Sequence, residues 1–169
     1  MLVRGANGGV GTAAIQVARA LGGRVTALAG ARHLDRLRDL GAEEAFDYHA
    51  TSPRGLGRFD VVLDPVARNM RAYRRLLAPG GRMAAMAIGS PGDIAYLVAS
   101  RIHGSRRVRF IQSPPTAELL TALAAYVDGK SVIPVIEAVY PLDVPAEGQP
   151  GLGRLRLALR SDRHQGRPP

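Results

Sequence analysis

A doubly wound α/β domain, a parallel sheet with helices on both faces, is the fold this chain predicts, and three observations predict it. The first dozen residues read as strand, glycine turn and helix: apolar Leu2 and Val3, then Gly5, Gly8, Gly9 and Gly11, then apolar residues at helical spacing. Short apolar runs then alternate with amphipathic ones along the chain, the pattern of βαβ units. Runs such as Val61-Val62-Leu63 are continuously apolar, as strands buried on both faces are.

Composition narrows the class. At 169 residues and 46% hydrophobic content the expectation is a single packed domain. There is no apolar run of the ~18 residues that spanning a bilayer needs, so no membrane partner is expected. No secretory leader is expected before the glycine turn. The chain has no cysteine, hence no disulfide and no thiolate metal site, and the expected compartment is cytoplasmic. The net charge is +9, but every basic residue except Lys130 is arginine, and the arginines are scattered without aromatic interleaving. That reads as solvated surface charge and not as a nucleic-acid interface.

The elements follow in order. Val10, Ala13, Ala14, Ile15, Val17, Ala18 and Leu21 set the first helix. Arg24 to Ala29 is a second strand after the Gly22-Gly23 break. A short helix through Leu34, Leu37 and Leu40 is closed by Gly41 as its cap. Glu44 to Tyr48 is a third strand, and Ala50 to Arg58 is a loop broken by Pro53, Gly55 and Gly57. Phe59 to Val66 is a fourth strand. Arg68 to Ala78 is a helix with Met70, Tyr73, Leu76 and Leu77 facing inward. Pro79-Gly80-Gly81 turns it into a fifth strand, Arg82 to Ile88. A helix over Ile94 to Ile102, a strand over Val108 to Gln112, a helix over Thr116 to Val127 and a short strand over Val135 to Tyr140 complete the series.

The glycine turn carries the chemistry. The dinucleotide fingerprint is G-x-G-x-x-G between a strand and a helix; here it is Ala6-x-Gly8-x-x-Gly11. Gly8 lets backbone approach a pyrophosphate, and Gly11 lets the helix pack on the strand. The N–H groups of Gly9, Val10 and Gly11 lie at the positive end of the helix dipole, with Asn7 at their edge. Ligands in such folds bind beyond the carboxyl ends of the strands, at the switch point. There the turn faces the loops at Asp64–Ala67 and Ile88–Gly92, which adds Val66 and Ile88 to the expected cofactor contacts. A tight turn with no ligand is the competing reading.

With those residues in view, the chain resembles the medium-chain dehydrogenases/reductases, in their quinone-oxidoreductase-like and zinc-type alcohol-dehydrogenase-like branch. The carriers are Gly5-Ala-Asn-Gly-Gly-Val-Gly-Thr-Ala-Ala-Ile-Gln16, Leu40-Gly-Ala42 with Asp47-Tyr48, Phe59-Asp-Val-Val-Leu-Asp64, Leu77-Ala-Pro-Gly-Gly81, Val108-Arg-Phe110 and Val139-Tyr-Pro-Leu142. The resemblance covers roughly residues 1 to 143. It implies a Rossmann-like cofactor domain, hydride exchange with NADPH on carbonyl, enone or quinone substrates, and dimers formed through the edge strand near Val108–Gln112. Two departures stand out. The family's barrel-like, GroES-like catalytic domain normally precedes this motif, and the expectation is a chain without it. An asparagine often follows the aspartate ending the fourth strand, where this chain has Pro65.

The cofactor reading is NADP(H) over NAD(H). An NAD site places an acid about 20 residues past the glycines, at the end of strand two, to hold the ribose hydroxyls. Here that place reads Leu28-Ala-Gly-Ala-Arg-His33, with no acid. Arg32 would attract a 2′-phosphate with a charge-assisted fork, and Gly30 and Ala31 leave room for it. The resemblance further implies that Gly30 and Ala31 sit beside that phosphate and that Tyr48 lies on the adenosine side.

Catalytic residues are unknown at this level. His33, His49, His103 and His164 are isolated, lack metal-ligand spacing and read as surface residues; no zinc is expected. Asp64 reads as capping a strand end. The alternative function is a non-catalytic nucleotide-binding remnant or module. A methyltransferase fits less well, because acids expected before the first glycines and at the end of strand two are replaced by Val3-Arg4 and Leu28-Ala29. Residues 144–169 hold five arginines against Glu147 and Asp162, with breakers unsuited to a helix. They read as a disordered basic tail, and a frameshift near Asp143 is the expected origin.

Overall fold

A computed structural model describes residues 1–86, 107–110 and 116–136. The chain divides into two units, Met1–Val135 and Ile136–Pro169, and every described element lies in the first. The strands are β1 (Leu2–Arg4), β2 (Thr26–Ala29), β3 (Glu44–Asp47), β4 (Phe59–Asp64), β5 (Leu77–Ala85) and β6 (Arg107–Phe110). The helices are α1 (Gly9–Ala20), α2 (Leu34–Asp39), α3 (Met70–Arg74) and α4 (Ala117–Asp128). The six strands form one sheet in the order β3-β2-β1-β4-β5-β6, every pair parallel. The order reverses between β1 and β4, the switch point of a doubly wound fold.

Alternation along the strands builds the two faces. Leu2, Leu28, Val62 and Met83 join Met70, Tyr73 and Leu76 of the α3 region in one apolar cluster. Val3, Ala27, Ala29 and Leu63 join Ile15 of α1 and Leu37 of α2 in the other. Successive strand residues point to opposite faces, so α1 and α2 cover one side of the sheet and α3 the other. Two glycines end helices as the sequence suggests. After α2, Gly41 is left-handed (φ 107°) and donates to Arg38 O while Ala42 donates to Leu37 O. After α1, Gly22 and Gly23 donate to Arg19 O and Ala18 O in the same arrangement.

Several boundaries differ from the sequence reading, each for a local reason. β4 stops at Asp64 because the Asp64 carboxylate takes the N–H groups of Val66 and Ala67, and Pro65 has none to offer a neighbour strand. α3 is five residues, not eleven. Asn69 is left-handed (φ 57°) at its start, and Leu77 is already paired with Phe59 in the sheet. Pro79-Gly80-Gly81 is therefore an irregularity inside β5 and not a turn before it: the pairing steps from Phe59↔Leu77 to Val61↔Arg82. Gly80 is left-handed (φ 78°), and a Cβ on Gly81 would meet Phe59 O at 3.0 Å. In α1 the buried face is Gly11, Thr12, Ile15 and Gln16, so Val10 and Leu21 are exposed instead of inward. α4 is capped by Thr116, whose hydroxyl accepts from Leu119 N–H, but it buries none of its residues. The helix expected over 94–102, most of the strand expected over 135–140 and the tail from 144 lie outside the described residues, as does Ile88.

Candidate functional site

β1 ends at Arg4, and the chain turns at once. Gly5 is left-handed (φ 54°), and a Cβ there would stand 2.9 Å from Val66 Cγ2. The turn is thus seated against the loop after β4, as the switch-point geometry requires. Ala6 N–H donates to Leu28 O at 3.1 Å, which pins the turn to the end of β2. Gly8 N–H donates to Gly5 O, and Gly8 O accepts the first helical bond from Thr12 N–H at 2.9 Å. The N–H groups of Gly9, Val10 and Gly11 precede that first bond and have no intrahelical acceptor. The first turn of α1 carries no acid, and Gly8 supplies no side-chain cap. The helix thus presents donors and positive dipole with no anion of its own.

The glycines divide their work. A Cβ on Gly11 would stand 2.6 to 2.7 Å from Ala6 Cα, C and O, so only glycine lets α1 start where it does. A Cβ on Gly9 would meet nothing within 4 Å. Gly11 is required by the packing of α1 on the turn, whereas the backbone at Gly9 faces open space.

Next to the turn lies a pocket of about 370 Å³ lined by Asn7, Gly30, Ala31, Arg32, His33, Tyr48 and His49. β2 and β3 pair as far as Ala29↔Asp47, and Tyr48 N–H extends the ladder to Ala29 O. The residues after both strands therefore come out side by side. A Cβ on Gly30 would be in ordinary contact with Tyr48 Cε1 at 3.7 Å, which leaves the ring close against the backbone. Tyr48 is half exposed, and its ring centroid lies 4.2 Å from that of His49. Arg32 Nε donates to His33 Nε2 at 3.0 Å. Asn7, Gly30, Ala31, Arg32 and Tyr48 are thus brought together. Gly8, Gly9, Val10 and Gly11 form the adjoining helix start, and Val66, 41% exposed, flanks Gly5. His49 is exposed, as the sequence suggests, whereas His33 is half-buried; both line this pocket. A larger cavity of about 690 Å³ lies at the amino ends of the strands, lined by Arg24, Thr26, Glu43, Arg58 and Asp60 among others. That is the end of a doubly wound sheet away from its ligand crevice.

Beneath the turn lies a buried ion pair. Arg4 Nη1 meets Asp64 Oδ2 at 2.5 Å, with Asp64 fully buried, and the Arg4 guanidinium lies 3.7 Å from the centroid of the Tyr73 ring. Asp64 Oδ1 accepts from Val66 and Ala67 N–H at 3.0 and 3.1 Å. One carboxylate thus ties the end of β1, the end of β4 and the following loop together. Asp64 caps its strand as expected; its partner was not anticipated. The signal was present as two opposite charges at the ends of β1 and β4, but reading it required the strand order.

The doubly wound sheet, the glycine turn at its switch point and the pocket beside it define a Rossmann-like α/β domain. The chain belongs to the zinc-binding dehydrogenase family, whose model matches residues 9–127, within the medium-chain dehydrogenase/reductase class. It is 29% identical over 163 residues to the zinc-type alcohol dehydrogenase-like protein C16A3.02c of Schizosaccharomyces pombe, covering 87% of this chain and 46% of that one. It superposes on the quinone oxidoreductase of Coxiella burnetii with a TM-score of 0.70 at 24% identity, over 80% of this chain and 43% of that one. The yhdH oxidoreductase of Salmonella enterica, solved in complex with NADP, gives a TM-score of 0.58 at 24% identity, over 75% and 41%. At these identities the superpositions establish the fold. The chain spans about half the length of the curated relatives it matches.

A dinucleotide fits the residues present: an open glycine turn, unpaired helical donors and an adjoining pocket with a cation and an exposed aromatic ring. The chain has no cysteine, and among the described residues no group of three or more His, Asp or Glu side chains is placed to hold a metal. No helix among the described residues is long and apolar enough to cross a membrane.

Proposed function

We propose that this chain is the NADP(H)-binding domain of an oxidoreductase acting on carbonyl, enone or quinone substrates, and that by itself it binds cofactor without turning substrate over. The observation that carries the reading is the pocket beside the glycine turn, which holds Arg32 and no carboxylate. An acid there would repel a 2′-phosphate; an arginine attracts it. The nicotinamide, when bound, supplies the hydride.

The residues of this chain bind and orient. Gly9, Val10 and Gly11 N–H groups face the pyrophosphate, with Val66 alongside. Gly30 and Ala31 make room for the ribose, Arg32 pairs with its phosphate and Tyr48 flanks the adenosine. The Arg4–Asp64 pair holds the turn and the loop after β4 in register. A homodimer through β6, the last strand in the described sheet order, and domain bounds of 1–143 belong to the same reading. Calorimetric titration with NADPH, followed by a screen of enones and quinones for NADPH consumption, tests it. Binding without consumption is the expected result; no detectable binding of NADPH overturns the cofactor reading, and consumption of NADPH overturns binding without turnover.

A further inference from the structure

His33 lines the pocket, and the cofactor reading gives it no task. It follows Arg32 in the short turn after β2 and is half-buried, while Arg32 is exposed. Arg32 Nε donates to His33 Nε2 at 3.0 Å. The imidazole accepts that bond through the lone pair of Nε2. A guanidinium has five N–H groups; engaging Nε leaves the four on its two terminal nitrogens, which suit the oxygens of a phosphate. An exposed arginine with no such anchor samples many rotamers, and ordering it on binding costs affinity.

We propose that His33 is a positioning residue for cofactor specificity: its Nε2 anchors Arg32 through Nε and leaves the terminal nitrogens for the 2′-phosphate of NADP(H). The inference rests on the NADP(H) reading above. It assigns His33 no contact with the reacting atoms. The effect passes through Arg32, so it falls on cofactors carrying the 2′-phosphate and spares those lacking it. His49, whose ring lies tilted against that of Tyr48, belongs to the other wall of the pocket and takes no part.

The test is a set of dissociation constants for NADPH and NADH with wild type, His33→Ala, His33→Gln and Arg32→Ala. Glutamine places an acceptor oxygen near the position of Nε2; alanine places none. His33→Ala is expected to weaken NADPH about three- to tenfold, the cost of ordering one otherwise mobile side chain on binding, and to leave NADH within about twofold. His33→Gln is expected to recover most of the loss. Equal weakening of both cofactors by His33→Ala overturns the proposal, as does unchanged NADPH binding or a glutamine variant as weak as alanine. Arg32→Ala separates the two layers. If it abolishes the preference for NADPH while His33→Ala does nothing, only the role of His33 fails. If it leaves the preference untouched, the NADP(H) reading fails with it.

Discussion

Gly9→Val and Gly11→Ala are expected to fail in opposite ways, although both alter the same turn. At Gly9 an added Cβ meets nothing within 4 Å. Valine at the start of a helix is, if anything, a few tenths of a kcal/mol better than glycine. Gly9→Val should therefore leave stability within about 0.5 kcal/mol, a shift of roughly 2 °C or less for a domain of this size. It places three carbons where the pyrophosphate must approach, and NADPH binding should fall by at least about a hundredfold, the loss of the charge-assisted backbone bonds. At Gly11 the Cβ stands 2.6 Å from Ala6 Cα, and Ala6 is itself fully buried and bonded to Leu28. Neither α1 nor the turn can yield without breaking that bond. Overpacking of this kind costs about 1–3 kcal/mol and more where backbone must move, so a fall in Tm of roughly 5–10 °C is expected. Thermal melts by circular dichroism and fluorescence titration with NADPH read the two effects. Wild-type NADPH affinity in Gly9→Val, or an unchanged melt in Gly11→Ala, would refute the division of labour.

Four further outcomes follow from the described fold. Asp64→Ala leaves Arg4 buried without its partner and frees two backbone N–H groups, so a loss of about 3–5 kcal/mol is expected in urea unfolding; a loss under 1 kcal/mol contradicts it. Arg4→Met with Asp64→Leu should recover most of that loss, because both charges leave together. Ala67 holds a left-handed backbone (φ 59°) next to the cofactor crevice, and Ala67→Gly should gain about 0.5–1 kcal/mol, read as a higher urea midpoint at unchanged slope. Sedimentation equilibrium at physiological salt is expected to show a dimer, since β6 ends the described sheet order; a monomer throughout the micromolar range speaks against edge pairing.

What was legible in the sequence was local. The strand, glycine turn and helix at residues 2–20 announce themselves through spacing alone, and Gly41 ends α2 for a reason carried by one residue type. What was not legible depends on neighbours distant in sequence. Met70, Tyr73, Leu76 and Leu77 are all buried, and their spacing fits one helix. Leu77 belongs to β5 only because Phe59 is there to pair with it. Pro79-Gly80-Gly81 reads as a turn, since nothing local shows that a strand runs on both sides of it. The Arg4–Asp64 pair joins residues 60 apart and needs β1 beside β4. His33 and His49 share a pocket only because β2 and β3 end together.

The central claim is that Arg32 makes this crevice prefer the phosphorylated cofactor. Titrating the wild-type chain with NADPH and NADH in the same buffer, and repeating both with Arg32→Ala, tests it most directly. Tighter binding of NADPH, by about tenfold or more, is expected in the wild type, with the advantage lost in Arg32→Ala and NADH affinity unchanged. Equal affinities for the two cofactors in the wild type, or an NADPH preference that survives Arg32→Ala, would contradict the account.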